Sequence, residues 1–190
     1  MNPPIYYVAN YVSLPDEKRK RLSEELVWER RGDTPRSEYY VNRFNVPYTY
    51  GKGVGQRTYR PSPSHPIIDE LFEQLKDTGY SYDVCFLNRY LNQKDSLYWH
   101  ADNEGIMDGL RPIITVSLGV EREIWFRPKN SNEITKQLLQ NGSMCLMKPG
   151  MQSTWEHRIP KASFICGERI SLTFRGYKYA NEVSPTNEVS

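Results

Sequence analysis

The chain has 190 residues, of which 38% are hydrophobic and 25% charged; this balance argues for a single folded domain and excludes a low-complexity or disordered chain. Its 25 Lys and Arg against 23 Asp and Glu leave a net charge of +2, so a nucleic-acid partner would have to be held by a local basic patch, not by the field of the whole molecule. No run approaches the roughly 18 apolar residues of a membrane span. The expectation is a monomer with no membrane partner, in a reducing cytoplasm, or a nucleus in a eukaryote, because Cys85, Cys145 and Cys166 are an odd, scattered set better read as small buried hydrophobes than as a disulfide framework.

In chain order, Ser13-Leu14-Pro15-Asp16 predicts a helix start, with Ser13 as the cap and Asp16 and Glu17 complementing the dipole; Leu22 and Leu26 supply a thin apolar stripe. A second helix is better marked: Pro66 opens it, Ile67, Ile68, Leu71, Phe72 and Leu75 recur at helical spacing, and Gly79 ends it. His65, immediately before Pro66, reads as the cap of this helix and not as a functional histidine. Beyond Gly79 the apolar period changes from helical to two. Strands are predicted over Val84–Leu91, Ile113–Val120, Glu123–Phe126, Ser143–Met147 and Arg169–Arg175, separated by turns at Gly105, Gly109, Asn141-Gly142 and Pro149-Gly150. Two helices followed by short strands give an α+β class, mainly β, built on an antiparallel sandwich or barrel. The polar stretch from Asn181 to Ser190 is expected to fray.

Two of these strands carry polar groups where one face should be apolar. In Arg169–Arg175, Ile170, Leu172 and Phe174 share one face and Arg169, Ser171, Thr173 and Arg175 the other. A solvent-facing strand would account for this. So would a barrel lumen whose two arginines, about 20 Å apart at their Cα atoms, lean together to hold a small dicarboxylate. In Val84–Leu91, Asn88 and Tyr90 end an otherwise apolar row and, if buried, require polar partners.

The chain has three histidines. His100 and Asp102 stand two apart, so at strand spacing both leave the same face, and His157 follows much later beside Trp155. Two imidazoles and one carboxylate on one face of a metal, with open positions opposite, is the donor set of non-haem Fe(II) oxygenases; zinc hydrolases use related sets, so the triad alone leaves both open.

Taken together, Asn88-x-Tyr90, His100-x-Asp102, His157 and the Arg169/Arg175 pair resemble, in order and spacing, the AlkB family of Fe(II)- and 2-oxoglutarate-dependent dioxygenases. The short words Pro35-Arg36, Pro47-Tyr48-Thr49-Tyr50, Leu87-Asn88-Arg89-Tyr90, Ser117-Leu118-Gly119 and Leu172-Thr173-Phe174-Arg175 extend the likeness from about Pro35 to Tyr177. The resemblance implies a double-stranded β-helix (jelly roll) supported by N-terminal helices. It also implies one domain over 1–190, divided into a nucleotide-recognition lid at 35–66, a β-helix core at 82–177 and a flexible tail at 181–190. Under it, His100, Asp102 and His157 bind Fe(II), while Asn88, Tyr90, Arg169, Thr173 and Arg175 cradle 2-oxoglutarate, with O2 as the second co-substrate. The implied activity is oxidative removal of N-methyl groups from nucleobases of the 1-methyladenine and 3-methylcytosine type, in DNA first and RNA second, with release of formaldehyde. Two departures stand out: Ser171 occupies a position where the family often has Asn, and the pair after the metal Asp, often both acidic, is Asn103 and Glu104, which removes one charge facing a cationic base.

Such a pocket reaches only a flipped or single-stranded base, which needs a flat side chain to stack on. The segment from Tyr39-Tyr40 to Tyr48-Thr49-Tyr50 offers several, with Arg36, Arg43, Lys52, Arg57 and Arg60 interleaved. Within the resemblance it reads as a lid hairpin in which Tyr50 stacks, Tyr48 lies beside it, the basic residues hold phosphates, and Gly51-Lys52-Gly53-Val54-Gly55 forms the tip. The alternatives are the same iron chemistry on a small molecule or protein side chain, favoured by Asn103 and the low net charge, and a catalytically dead barrel that only binds nucleic acid. A zinc hydrolase would leave Arg169 and Arg175 without a task.

Overall fold

A computed structural model describes residues 1–44, 48–50 and 56–178; for Tyr48 and Tyr50 it describes the backbone alone. The chain opens with strand β1 (Ile5–Val8) and helix α1 (Pro15–Glu25), then β2 (Ser37–Asn42), β3 (Tyr48–Tyr50), β4 (Arg57–Tyr59) and helix α2 (Pro66–Gln74). Eight strands follow: β5 (Val84–Tyr90), β6 (Leu97–His100), β7 (Ile113–Gly119), β8 (Arg122–Pro128), β9 (Thr135–Leu139), β10 (Ser143–Met147), β11 (Trp155–Ile159) and β12 (Arg169–Arg175); the short helix α3 (Met151–Thr154) precedes β11.

Ten strands form two antiparallel sheets, one of six in the order β1-β10-β7-β12-β5-β2 and one of four in the order β6-β11-β8-β9, and β3 and β4 pair separately. This is the jelly-roll arrangement, with the helices on the outer face of the larger sheet. The outer row of β12 (Ile170, Leu172, Phe174) joins Leu87, Ile114, Val116 and Leu118 with Leu22 of α1 and Ile67, Ile68, Leu71 and Phe72 of α2 in the main apolar core. Each such side chain, fully buried, contributes on the order of 1.5–3 kcal/mol. A second core of Tyr90, Ile124, Phe126, Met147, Trp155 and Ile159 lies between the sheets. The larger sheet thus presents its apolar face to the helices and its polar face to the lumen, which is why the alternation in β12 is so strict.

The two helix starts are capped differently. At α1 the capping position is Leu14, in the left-handed region at φ 49°, with no side-chain cap; Ser13, predicted as the cap, instead accepts a 3.3 Å bond from Lys18 Nζ. At α2 the prediction holds: His65 Nδ1 accepts from the Ile67 amide at 3.1 Å and its Nε2 meets Glu25 at 2.6 Å, so this histidine is a structural cap. The helix tightens into a 3-10 turn, Leu75–Thr78, before Gly79 closes it at φ 88°. All five predicted strands are present within a residue or two of their bounds, whereas β1, β2, β6, β9 and β11 have too short or irregular a period to announce themselves.

The lid region needs one correction. Ser37–Asn42 is buried throughout and pairs with β5 as the edge of the larger sheet, so Tyr39 and Tyr40 belong to the core and not to a lid. The separate hairpin consists of β3 and β4, with Tyr48 opposite Tyr59 and Tyr50 opposite Arg57. The predicted tip at Gly51–Gly55, the Tyr48 and Tyr50 side chains and the tail at 181–190 lie outside the described residues.

Candidate active site

His100 ends β6 and His157 lies in β11, directly opposite it in the antiparallel register. The pairing sets the two rings 4.3 Å apart at their centroids, and Asp102, two residues beyond His100, completes the group. His100 Nε2 is 3.8 Å from Asp102 Oδ1 and His157 Nε2 is 3.6 Å from Oδ2. One donor atom from each residue lies within 4.8 Å of the others, a spacing one ion can bridge. His100 Nδ1 is 2.8 Å from the Tyr98 carbonyl, which only a protonated Nδ1 can satisfy, leaving Nε2 as the lone-pair donor. Burial, and then the neighbouring His100, push His157 down to about 3, so its imidazole is neutral at ordinary pH. For Asp102 burial acts upward, but Arg175 and then the two histidines outweigh it and hold the carboxyl below its ordinary value. A neutral imidazole and an ionised carboxylate are the protonation states a divalent metal requires.

Behind the triad the lumen narrows into a cavity lined by Asn88, Tyr90, Thr115, Arg169, Ser171, Thr173 and Arg175 together with His100, Asp102 and His157. These residues meet because β12 lies between β5 and β7: Arg169 opposes Tyr90, and Ser171 opposes both Asn88 and Ser117. Arg169 is fully buried; one Nη donates to Ser117 at 2.9 Å, its guanidinium sits 5.3 Å from the Tyr90 ring centroid, and Nε and the other Nη have no hydrogen-bond partner among the described residues. Desolvation pushes it down to about 10, so it is a cation held at a cost. Buried N–H groups left unsatisfied beside a cavity are what an anionic ligand such as a carboxylate would complete. Arg175 is engaged differently from the sequence expectation of a matched pair gripping a dicarboxylate: its Nη2 contacts Asp102 Oδ1 at 2.8 Å, and Nη1 lies 3.7 Å from Glu104. It therefore braces the metal carboxylate as well as lining the cavity. Ser171, the shorter side chain at this position, is buried in the same wall.

A family model described as the 2OG-Fe(II) oxygenase superfamily matches residues 18–175. The chain belongs to that superfamily, in its AlkB branch. It is 33% identical over 177 residues to the Alpha-ketoglutarate-dependent dioxygenase alkB homolog 3 of Bos taurus, covering 84% of this chain and 60% of that one. It is 27% identical over 163 residues to the DNA oxidative demethylase ALKBH2 of Mus musculus, covering 81% of this chain and 66% of that one. The chain thus spans about 60% of the length of the first of these relatives. Among solved structures, one titled The structure of OsALKBH1 superposes with a TM-score of 0.66 at 17% identity over 92% of this chain and 99% of that one, a likeness of fold. The superfamily implies Fe(II), 2-oxoglutarate and O2, and the residues present fit them. The triad supplies the donor set, and the orphaned Arg169 nitrogens supply the anchor for a carboxylate.

On the side away from Arg169, a front cavity lined by Arg36, Tyr59, Phe86, Asn88, Leu97, His100, Asp102 and Arg175 opens into a groove bounded by Arg31, Thr34, Arg57, Tyr59 and Trp99. Of the basic residues expected to hold phosphates, Arg36 and Arg57 line this groove, while Arg43 is turned away, stacked 5.1 Å over Phe72 and 3.7 Å from Glu73. Asn103 is exposed and Glu104 half-buried; both line a separate cavity with Met107, Gln152 and Arg175, so Asn103 is not part of the front wall. Arg31, Tyr59 and Trp99 were not legible as site residues, because the turn before β2 carries Arg31, the hairpin carries Tyr59 and β6 carries Trp99 to the mouth, and no local period joins those three segments.

Both fully buried cysteines are spectators. Burial pushes Cys145 up to about 12 and Cys85 well above its usual value, so neither thiol ionises near neutral pH.

Proposed function

We propose that this protein oxidatively removes N-methyl groups from alkylated bases of a nucleic acid, DNA in the first instance, with Fe(II), 2-oxoglutarate and O2. The observation that carries the reading is the His100–Asp102–His157 triad, with Asp102 and His157 buried and His100 half-buried, between two cavities, one ending on Arg169 and the other opening into an arginine-lined groove. In this reading His100, Asp102 and His157 hold the iron, and Arg169, Asn88, Tyr90, Thr173 and Arg175 receive 2-oxoglutarate. When bound, the iron and its co-substrates supply hydroxylation of the methyl carbon; the hydroxymethyl product then breaks down to formaldehyde and the free base. The protein contributes position and dryness. Arg175 holds Asp102 ionised, Tyr98 fixes the His100 tautomer, and Ile124 and Ile159 line the inner cavity with apolar surface.

The groove supports a nucleic-acid substrate. Arg31, Arg36 and Arg57 offer donors to phosphates, and Tyr59 and Trp99 offer faces beside His100, as a splayed-out strand requires. The relatives named as alkB homolog 3 and as a DNA oxidative demethylase agree with this choice over a small molecule or protein side chain. The β3–β4 hairpin, with Tyr48 and Tyr50, is the lid in this reading, and Asn103 and Glu104 tune the pocket from its other side. Among the described residues no helix is long and apolar enough to cross a membrane. The protein is proposed to act as a monomer in a reducing compartment, cytoplasmic or nuclear.

The test is direct. With Fe(II), ascorbate and 2-oxoglutarate, the purified protein should release formaldehyde from oligonucleotides carrying 1-methyladenine or 3-methylcytosine. No succinate formation above background with single- and double-stranded DNA and RNA would refute it. Loss of turnover in Tyr50→Ala, with unchanged substrate-free decay of 2-oxoglutarate, would favour a stacked base over a small-molecule substrate.

A further inference from the structure

Glu38 is 3% exposed, and both carboxylate oxygens are buried, yet the metal site has no evident use for it. It stands on the luminal face of β2, opposite Asn88, with Tyr40 opposite Phe86 farther along the same face. Two guanidiniums flank it, Arg36 Nη2 at 3.5 Å and Arg57 Nη1 at 3.6 Å. Tyr59 lies against it as well: its phenol is pushed up to about 12 by burial first and by Glu38 second. A carboxylate at this depth is costly unless neutralised, and here two cations from different segments converge on it.

What those two cations do next gives Glu38 its meaning. Arg36 Nε donates to Asn88 Oδ1 at 3.1 Å. A primary amide has one acceptor and one NH2 group, so a partner on Oδ1 leaves Nδ2 as the group Asn88 offers to the cavity it lines. An oxygen-bearing anionic co-substrate needs that donor; the flipped amide would set oxygen against oxygen. Arg57, on β4, also bonds Thr34 Oγ1 at 2.9 Å, tying the hairpin to the turn before β2.

We propose that Glu38 is a positioning residue that, through Arg36, fixes the amide orientation of the co-substrate ligand Asn88 and, through Arg57, anchors the β3–β4 hairpin to the same buried charge. The proposal rests on the assignment of Asn88 to the 2-oxoglutarate cavity. One carboxylate thereby serves both sides of the metal, and the geometry that admits the co-substrate is the geometry that seats the hairpin.

The experiment is calorimetric titration of 2-oxoglutarate into the Mn(II)-loaded protein, with no turnover involved. It compares the native chain with Glu38→Gln, Arg36→Met, the double variant and Asn88→Ala. Glu38→Gln keeps the shape and removes the charge. It should weaken 2-oxoglutarate about tenfold, as should Arg36→Met, because the first removes the charge that holds the Arg36 guanidinium at 3.5 Å and the second removes the Arg36 bond to Asn88. The double variant should be no weaker than the worse single one, because the two residues act in series. An unchanged Kd in a natively melting Glu38→Gln protein, or additive losses in the double variant, overturns the proposal. If Glu38→Gln does not fold, Arg36→Met decides: a weakened Kd supports the relay and an unchanged one refutes it. Asn88→Ala separates the two levels of inference. Weakened binding there with a native Kd in Glu38→Gln refutes Glu38 alone, whereas native binding in Asn88→Ala overturns the cavity assignment and the relay with it.

Discussion

Replacing Arg169 by Met should make the ligand-free protein more stable and the co-substrate much weaker, two effects of opposite sign from one side chain. The guanidinium is completely buried, and desolvation pushes it well below its ordinary value, down to about 10. At about 1.4 kcal/mol for each pKa unit, carrying the charge into the fold costs about 3 kcal/mol at neutral pH. Against that, Met forfeits the 2.9 Å bond to Ser117 and the stacking on Tyr90, together about 1–2 kcal/mol. The volume is nearly conserved, so no large cavity opens. The balance is a gain of about 1–2 kcal/mol, a rise in Tm of about 3–6 °C for a domain of this size. The Nε and Nη groups that lack partners are lost with the charge. Two charge-assisted bonds at about 1.5–3 kcal/mol each convert to a fall in 2-oxoglutarate affinity of about a hundredfold or more. Thermal denaturation of the metal-free protein, and of the Mn(II) form across a 2-oxoglutarate titration, reads both quantities. An Arg169→Met protein that melts lower than the native one without ligand, or that binds 2-oxoglutarate with native affinity, refutes the reasoning.

Asp102→Ala removes a metal donor and strips Arg175 of its 2.8 Å partner, so Mn(II) affinity should fall at least a hundredfold by calorimetry; retention of native affinity would remove Asp102 from the ligand set. Gly119 sits at φ 97°, and an added Cβ would clash with the Glu168 carbonyl, so Gly119→Ala should cost about 2–4 kcal/mol in urea denaturation. The pH dependence of the metal-free protein follows from His157: its folded value of about 3 lies below the ordinary 6.5, so the unfolded chain takes up the proton first. Stability is therefore full above pH 6.5 and falls as the pH drops towards 3. Mn(II), by competing with protons at this site, should raise the midpoint in that window, and a urea midpoint flat from pH 6.5 to 4.5 in the metal-free protein would contradict it. Tyr59 works in the opposite direction: its phenol is raised to about 12, so its contribution is intact below pH 10 and is lost between 10 and 12, where Tyr59→Phe should flatten the alkaline limb.

Much of the fold follows from local pattern. The alternation in Arg169–Arg175 assigned each of its seven side chains to the correct face, since a strand buried on both sides cannot slip by one residue without placing Arg in the helix-facing core. His65 could be set aside as a cap because Pro66 behind it leaves the first free amides to a side-chain acceptor. His100 and Asp102 were legible as a candidate donor pair from their spacing of two, although only His100 lies in β6 and Asp102 follows just beyond the strand end. His157 needed the AlkB resemblance, as nothing local says that β11 lies beside β6. Ser13 was misread because a cap requires extended backbone at the right position, and here the turn places Leu14 there instead. Tyr39 and Tyr40 were misread for a related reason: aromatic-rich strands look alike whether they cover a pocket or edge a sheet, and the pairing with β5 decides between them.

The sequence by itself determined the strand faces, the second helix, the donor types and, through the order of its motifs, the chemistry of the centre, because these depend on residue type and on spacings of two or four along one segment. Only the tertiary structure decided that Arg175 braces Asp102 while Arg169 keeps two buried N–H-bearing nitrogens without a hydrogen-bond partner among the described residues, that Arg31, Tyr59 and Trp99 border the groove, and that Glu38 stands between two arginines. Those relations join residues far apart in the chain. Long-range pairing of strands sets them, and a one-dimensional period carries no information about which strand will lie beside which.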